Sequence, residues 1–259
     1  MVDTKTQKEI DKTVNRILKE VGVRRPPIDI DDILHHLELN RDFYSLEDPS
    51  LIARVMHKVK VGGQQLIKIT KKIKLCALWF PDGNKILVDS DLPKPKIKWA
   101  TLHDTTHSIL EWHRPFFLGD TAQTLDPDFQ ESLENEANYG ASALMFAGEL
   151  FSKESLDTSP CWESVKKLSD RYNTSLVTTA RRYVQFSHDK SMAVLISTPW
   201  WMDKPADQKD QFRHFVKSQK FENQFGNVSP GLLINKIDDY VKKRIGGPVG
   251  SDSFFFRRH

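Results

Sequence analysis

The sequence predicts an α+β fold in which helices carry the candidate site and a small antiparallel sheet lies beside them. Apolar residues recur at helical spacing in residues 6–21, 99–112 and 129–151, as in amphipathic helices. Apolar residues alternate with lysines in residues 67–75, which is typical of a half-buried strand. A Pro-Asp-Gly-Asn turn at 81–84 joins two short apolar runs and indicates a hairpin.

Composition restricts the class of protein. The chain has 259 residues, of which 39% are hydrophobic and 28% charged, as expected for a globular protein. No apolar run approaches the roughly 20 residues of a membrane span, and the N-terminus lacks the apolar core of a signal peptide. Cys76 and Cys161 are far apart, which excludes a cysteine zinc site and favours a reduced, cytoplasmic protein. A formal charge of +3 is too small to indicate nucleic acid.

The helix at 99–112 carries a candidate metal motif. His103 and His107 are four residues apart, so they lie one turn apart on one helix face. Two imidazoles so placed can bind one metal ion, and a carboxylate beside the first can act on a water molecule held there. That carboxylate is Asp104. The pattern predicts His103 and His107 as metal ligands and Asp104 as the catalytic residue.

A catalytic zinc site needs a third protein ligand and an open position. The helix at 129–151 offers Glu134, which shares its face with Ala137 and Ala141, small residues that allow another helix to approach closely. Glu136 points about 200° away from Glu134 around the helix, so only one of the two can face the metal. The face of small residues favours Glu134. Glu111 lies one turn after His107, and His113 follows closely. Both are interpreted as ordinary exposed positions, with support of a ligand histidine from behind as the alternative.

The two helices resemble those of the ImmA/IrrE metallopeptidases, which have a thermolysin-like core. The family's His-Glu-x-x-His stands here as His-Asp-Thr-Thr-His at 103–107. Its Glu-x-Glu-Ala-Asn-x-Phe-Ala stands as Glu-Asn-Glu-Ala-Asn-Tyr-Gly-Ala at 134–141. The likeness covers most of residues 1–220. It implies a helical metallopeptidase domain with a small antiparallel sheet at 1–155. A C-terminal extension at 156–259 would hold helix-turn-helix-like helices, a β-hairpin and a terminal helix. Its apolar pattern predicts strands at 192–197 and 212–218 and an amphipathic helix at 232–245.

The resemblance implies a Zn²⁺ site with Glu134 as third ligand, and cleavage of a regulatory protein, often a transcriptional repressor. Water would attack a peptide carbonyl, and the extended substrate would pair with an edge strand between residues 66 and 89. The sequence departs from the family at three places: Gly140 replaces the motif's Phe, Leu144-Met145-Phe146 lacks the usual Pro, and Asp104 replaces the catalytic Glu. Asp104 is shorter by one carbon–carbon bond, about 1.5 Å. A catalytically weakened, metal-binding regulatory protein that binds a protein partner is therefore the alternative.

Two further hypotheses rank lower. His103-Asp104 also resembles the dyad of HD-type metal phosphohydrolases, but that class is all-helical and would leave Glu134 unexplained. The segment at 162–186 looks like a helix-turn-helix in which Arg181 and Arg182 could contact DNA phosphates. Such helix pairs are frequent as packing units, so DNA binding is not favoured. The expected partner is a protein, in particular a transcriptional regulator, and no membrane.

Overall fold

The computed structural model describes residues 2–44, 77–80, 83–115, 127–187, 190–197, 212–233 and 235. Helices and two small sheets make up these residues, so the predicted α+β class is confirmed. Two compact units account for the chain: Met1–Phe151 with Ser169–Ser175, and Ser152–Leu168 with Leu176–His259. The domains expected at 1–155 and 156–259 stay predictions. Within the described ranges, no helix combines the length and apolarity that crossing a bilayer requires.

Two helices open the first unit. Helix α1, Thr4–Val21, begins at Asp3, whose carboxylate accepts from the first backbone N–H groups, and ends at Gly22 with φ 81°. It buries one apolar face, consisting of Ile10, Val14, Ile17 and Leu18. Helix α2, Ile30–His36, is capped by Asp29 in the same way. In both helices, the capping residue and the spacing of the apolar residues indicate the same helix start, so the sequence pattern predicts them.

Three strands form the sheet of the first unit: β1, Asn40–Tyr44; β2, Ala77–Phe80; and β3, Lys85–Asp89. The order is β1-β3-β2, with β3 antiparallel to β2 but parallel to β1. The expected antiparallel sheet is thus wrong for β1. A parallel pair needs a long connection, and the long stretch of chain between β1 and β3 provides one. The strand predicted at 67–75 lies outside the described residues.

The sheet packs on the helix that carries the histidines. Trp79, Ile86 and Val88 are buried in one core cluster with Ala100 of helix α3, Lys94–Ile109. Helix α3 begins five residues before the predicted start, because Pro95 lies in its first turn, where its missing N–H costs nothing. A 3₁₀ turn, Glu111–His113, follows the helix. The sheet therefore supports one side of α3 and leaves another side for a second helix.

That second helix is α4, Pro127–Met145. The single helix predicted at 129–151 is wrong, because Ala147 and Gly148 have φ values of 51° and 56° and separate α4 from α5, Glu149–Leu156. Helix α4 lies so close to α3 that a Cβ added at Gly140 would overlap the Cγ2 methyl of Thr106. A phenylalanine could not occupy this position at this spacing.

Gly140→Ala is accordingly expected to destabilise the protein by about 1–3 kcal/mol, the range for overpacked cores. In a helix interior, replacing glycine by alanine normally stabilises the helix by about 1 kcal/mol. A loss of stability in Gly140→Ala would therefore indicate the close helix contact. Thr106 is buried and its hydroxyl donates to the Leu102 carbonyl, so it cannot turn away freely. Urea unfolding measures the loss, and Thr106→Ser in the same chain, which removes the methyl, should restore most of it. A Gly140→Ala protein as stable as wild type would contradict the close helix contact.

The C-terminal part contains the expected helix pair and hairpin strands. Helices α6, Trp162–Tyr172, and α7, Leu176–Arg182, precede a π-helical turn, Tyr183–Ser187. Strands β4, Ala193–Ser197, and β5, Phe212–Lys217, pair antiparallel. Helix α8, Gln219–Phe225, was not predicted; Ser218, assigned from sequence to the strand, caps it through the Phe221 N–H. The predicted terminal helix at 232–245 lies mostly outside the described residues.

The two arginines proposed to contact DNA have different surroundings. Arg182 is only 4% exposed, and its guanidinium lies over the Phe186 ring, so it is not available to a phosphate. Arg181 is exposed and hydrogen-bonds His214 of β5. The proposed use of Arg182 on phosphates is therefore wrong.

Candidate metal centre

Helix α3 presents both histidines to one site. His107 is 1% exposed and His103 half-buried, and their Nε2 atoms lie 3.1 Å apart. The helix can be buried here although it is rich in threonine, because the hydroxyls of Thr101, Thr105 and Thr106 each donate to the carbonyl one turn earlier. The buried hydroxyl groups thus find their hydrogen-bond acceptors within the helix. The helix in turn holds the two imidazoles at the spacing that the sequence predicts.

Glu134 reaches the same point from α4. Its Oε2 lies 3.2 Å from His103 Nε2 and its Oε1 lies 3.7 Å from His107 Nε2. Ligand atoms of these three residues all lie within 4.8 Å of one another, and the cluster could hold a metal ion. The Glu134 side chain is 55% exposed, so the cluster is open to solvent on this side. The structure therefore brings together the three predicted ligands.

Asn138, one turn after Glu134, fixes the ring of His103. Its Oδ1 lies 3.1 Å from His103 Nδ1. An amide oxygen only accepts, so Nδ1–H donates and the lone pair of Nε2 is directed into the cluster. His103 thus presents to the cluster the nitrogen that a metal requires.

His113 and Glu136 lie behind His107. His113 is fully buried, its Nδ1 lies 2.8 Å from His107 Nδ1, and its Nε2 lies 3.1 Å from Glu136 Oε2. The expectation that His113 is exposed is wrong, whereas Glu111 is exposed as expected. Helical spacing could not reveal this contact, because α3 ends at Ile109 and the 3₁₀ turn folds the chain back. Glu136, the alternative third ligand, is engaged here instead of in the cluster.

Asp104 is buried and lies outside the three-residue cluster. It accepts a hydrogen bond from the backbone N–H of Trp79 on β2, while its Oδ2 has no hydrogen-bond partner among the described residues. Burial raises the pKa of Asp104 to about 7; the positive charge of His103 opposes this and the negative charge of Glu134 adds to it. The carboxyl can thus gain or lose a proton near neutral pH.

The two histidines differ in their titration. Burial lowers the pKa of His107 well below its usual value, and the neighbouring His103 and His113 lower it further. Burial also acts to lower the pKa of His103, but the hydrogen bond to Glu134 and the charges of Asp104 and Glu134 outweigh it, so the pKa of His103 is raised. His107 is therefore a neutral imidazole, the form that binds metal.

The donor set fits a divalent ion for a physical reason. With Nδ1 of each histidine directed away from the cluster, the two Nε2 atoms and the Glu134 carboxylate face one another at 3.1–3.7 Å. Three hydrogen-bond acceptors at this spacing repel unless a proton or a cation lies among them. A proton held among these acceptors would raise the pKa of His103, and the pKa of His103 is raised. A metal ion would satisfy all three acceptors at once.

Comparisons with known proteins add little to this site. No protein-family model matches the sequence, and no curated protein matches it either. Among solved structures, the chain is similar to a Mycobacterium tuberculosis transcriptional regulator, with a TM-score of 0.49 and 11% sequence identity. The match covers 81% of this chain and 55% of that chain, so this chain spans little more than half the length of that protein. At this similarity the match indicates neither a family nor a function.

Proposed function

We propose that this protein is a zinc-dependent peptidase of the ImmA/IrrE type, with a thermolysin-like core, that cleaves a regulatory protein. The observation that carries the proposal is the convergence of His103 and His107 from α3 with Glu134 from α4. Two imidazoles and one carboxylate are a donor set of catalytic zinc sites, in which one position stays open for water or substrate. The exposed side of Glu134 provides room for that position.

The remaining residues have definable roles in such a site. A bound zinc ion would polarise a peptide carbonyl and lower the pKa of a water molecule. Asp104, with a pKa of about 7, has the proton affinity expected of a general base near neutral pH. It bonds Trp79 on β2, the end strand of the three-stranded sheet. A substrate that adds as a strand to β2 would therefore pass beside Asp104.

Three properties of Asp104 favour the alternative, a metal-binding regulatory protein with little or no turnover. Asp104 is buried, its reach is about 1.5 Å shorter than that of glutamate, and the Trp79 N–H holds it toward the sheet. Both readings keep the same ligand set and a protein partner, which we propose is a transcriptional regulator. The HD-type hypothesis gains no support, since Asp104 does not share the cluster with His103.

Digestion of a proteome-derived peptide library by the zinc-loaded protein tests the proposal. Mass spectrometry should find a defined set of new termini with the wild type, and none after chelation or with Glu134→Ala. Readdition of zinc to the chelated wild type should restore cleavage. A loaded wild type that cleaves nothing in the library or in an intact co-expressed regulator would leave only the non-enzymatic alternative.

A further inference from the structure

We infer that His113 and Glu136 position His107 as a metal ligand through a hydrogen bond between two imidazole rings. The inference rests on the metal site of the proposed function and assigns work to two residues outside it. Both lie within one continuous chain of contacts that runs from the cluster to α4. Neither residue reaches the cluster itself.

Hydrogen-bond bookkeeping fixes the direction of this chain. The Glu136 carboxylate is an acceptor, so Nε2 of His113 must donate to it across 3.1 Å. The proposal takes His113 in its neutral form, which carries one N–H, so that its Nδ1 accepts. Its partner at 2.8 Å is Nδ1 of His107, which must therefore donate. Nε2 of His107 is left with its lone pair, and this atom faces His103 and Glu134.

Glu136 is held firmly enough to anchor the chain. Besides His113, its Oε2 accepts from Trp112 Nε1 at 2.6 Å and its Oε1 accepts from the Ser132 hydroxyl at 3.2 Å. The indole N–H of Trp112 can only donate, so Oε2 of Glu136 is an acceptor at this contact. The same oxygen faces His113, which is the condition that the tautomer argument needs.

The arrangement also explains why one helix carries two glutamates two residues apart. Glu134 contributes a ligand directly, while Glu136 acts on the second ligand histidine from behind, through the buried His113 of the 3₁₀ turn. Metal-binding histidines usually donate their other N–H straight to a carboxylate, carbonyl or water. Here an imidazole lies between ligand and carboxylate, so losing either outer residue should release the ring of His107.

The test compares four single variants. His113→Phe fills the buried space but cannot accept from His107, and Glu136→Leu offers His113 no acceptor. His113→Gln keeps one acceptor and one donor, so it is the conservative rescue. Glu111→Gln, on the exposed side of the same 3₁₀ turn, is the matched control. Circular dichroism checks folding; if His113→Phe does not fold, Glu136→Leu carries the comparison.

Two readouts are needed. Nitrogen-15 NMR of the metal-free protein should find His107 protonated at Nδ1 in the wild type, in Glu111→Gln and in His113→Gln, and a mixture of tautomers in His113→Phe and Glu136→Leu. Zinc titration should give dissociation constants about 10–100-fold weaker for the last two variants, the range for outer partners of metal ligands. A purely structural role of His113 would not move the tautomer.

Different failures have different meanings. If the wild type binds no zinc, or binds it independently of His103 and Glu134, the metal site and the role of His113 are both overturned. If zinc binding depends on His103 and Glu134 but is unchanged in His113→Phe and Glu136→Leu, only the role of His113 and Glu136 is overturned. A wild-type His107 protonated at Nε2 in the metal-free protein would also overturn it.

Discussion

Alanine at His103, His107 or Glu134 is expected to weaken zinc binding by more than about 100-fold, beyond the range for residues that only support a ligand. Each substitution removes one of three ligand atoms that lie within 4.8 Å of one another. Zinc at 100 times its dissociation constant should stabilise the wild type by about 2.7 kcal/mol. This corresponds to a rise in Tm of roughly 5–10 °C. The three variants should lose this rise, measured by thermal unfolding with and without zinc.

Glu131→Ala is the control for that experiment. Glu131 lies on α4 one turn before the site and is exposed, so its removal changes the charge of the helix without touching the cluster. It should keep the wild-type zinc affinity and the full rise in Tm. Alanine variants that retain a zinc affinity equal to that of Glu131→Ala would contradict the ligand assignment.

Asp104→Asn should lower cleavage by at least about 100-fold, the low end of general acid–base contributions, and leave zinc affinity nearly unchanged. The amide cannot take up a proton, yet it keeps an oxygen for the Trp79 N–H and nearly the same volume. Because Asp104 lies outside the three-ligand cluster, the loss should appear in turnover and not in metal content. Cleavage rates and zinc stoichiometry are measured on the same preparations.

Asp104→Glu separates the two readings of the site. If the wild type cleaves its target, Asp104→Glu should only alter an activity that is already present. The longer side chain must then fit into a position that is buried in the wild type. Activity that appears in Asp104→Glu where the wild type has none would establish the weakened, regulatory alternative. If Asp104→Asn cleaves at the wild-type rate, Asp104 has no catalytic role.

The ligand set could be predicted because it depends on spacing within helices. Four residues along α3 place His103 and His107 on one face whatever surrounds them, and the small residues near Glu134 on α4 anticipated a close neighbour. The close approach of Gly140 to Thr106 shows such a neighbour. Local geometry was sufficient for these positions.

The features that the sequence did not predict depend on chain reversals and long-range pairing. His113 is brought behind His107 by a turn after α3 ends, and the break at Ala147 and Gly148 depends on two positive φ values. The parallel pairing of β1 with β3 joins segments far apart in the chain. Neither periodicity nor spacing contains this information. The Ser218 cap of α8 was a usable signal that the strand assignment overlooked.

Zinc-edge X-ray absorption, on protein stripped with chelator and reloaded with one equivalent of zinc, identifies the atoms that bind the metal. We expect two imidazole nitrogens at about 2.0–2.1 Å and carboxylate oxygen at about 2.0–2.2 Å, with one imidazole lost in His107→Ala. A spectrum without imidazole, or one that His107→Ala leaves unchanged, would contradict the claim that His103, His107 and Glu134 form a metal site.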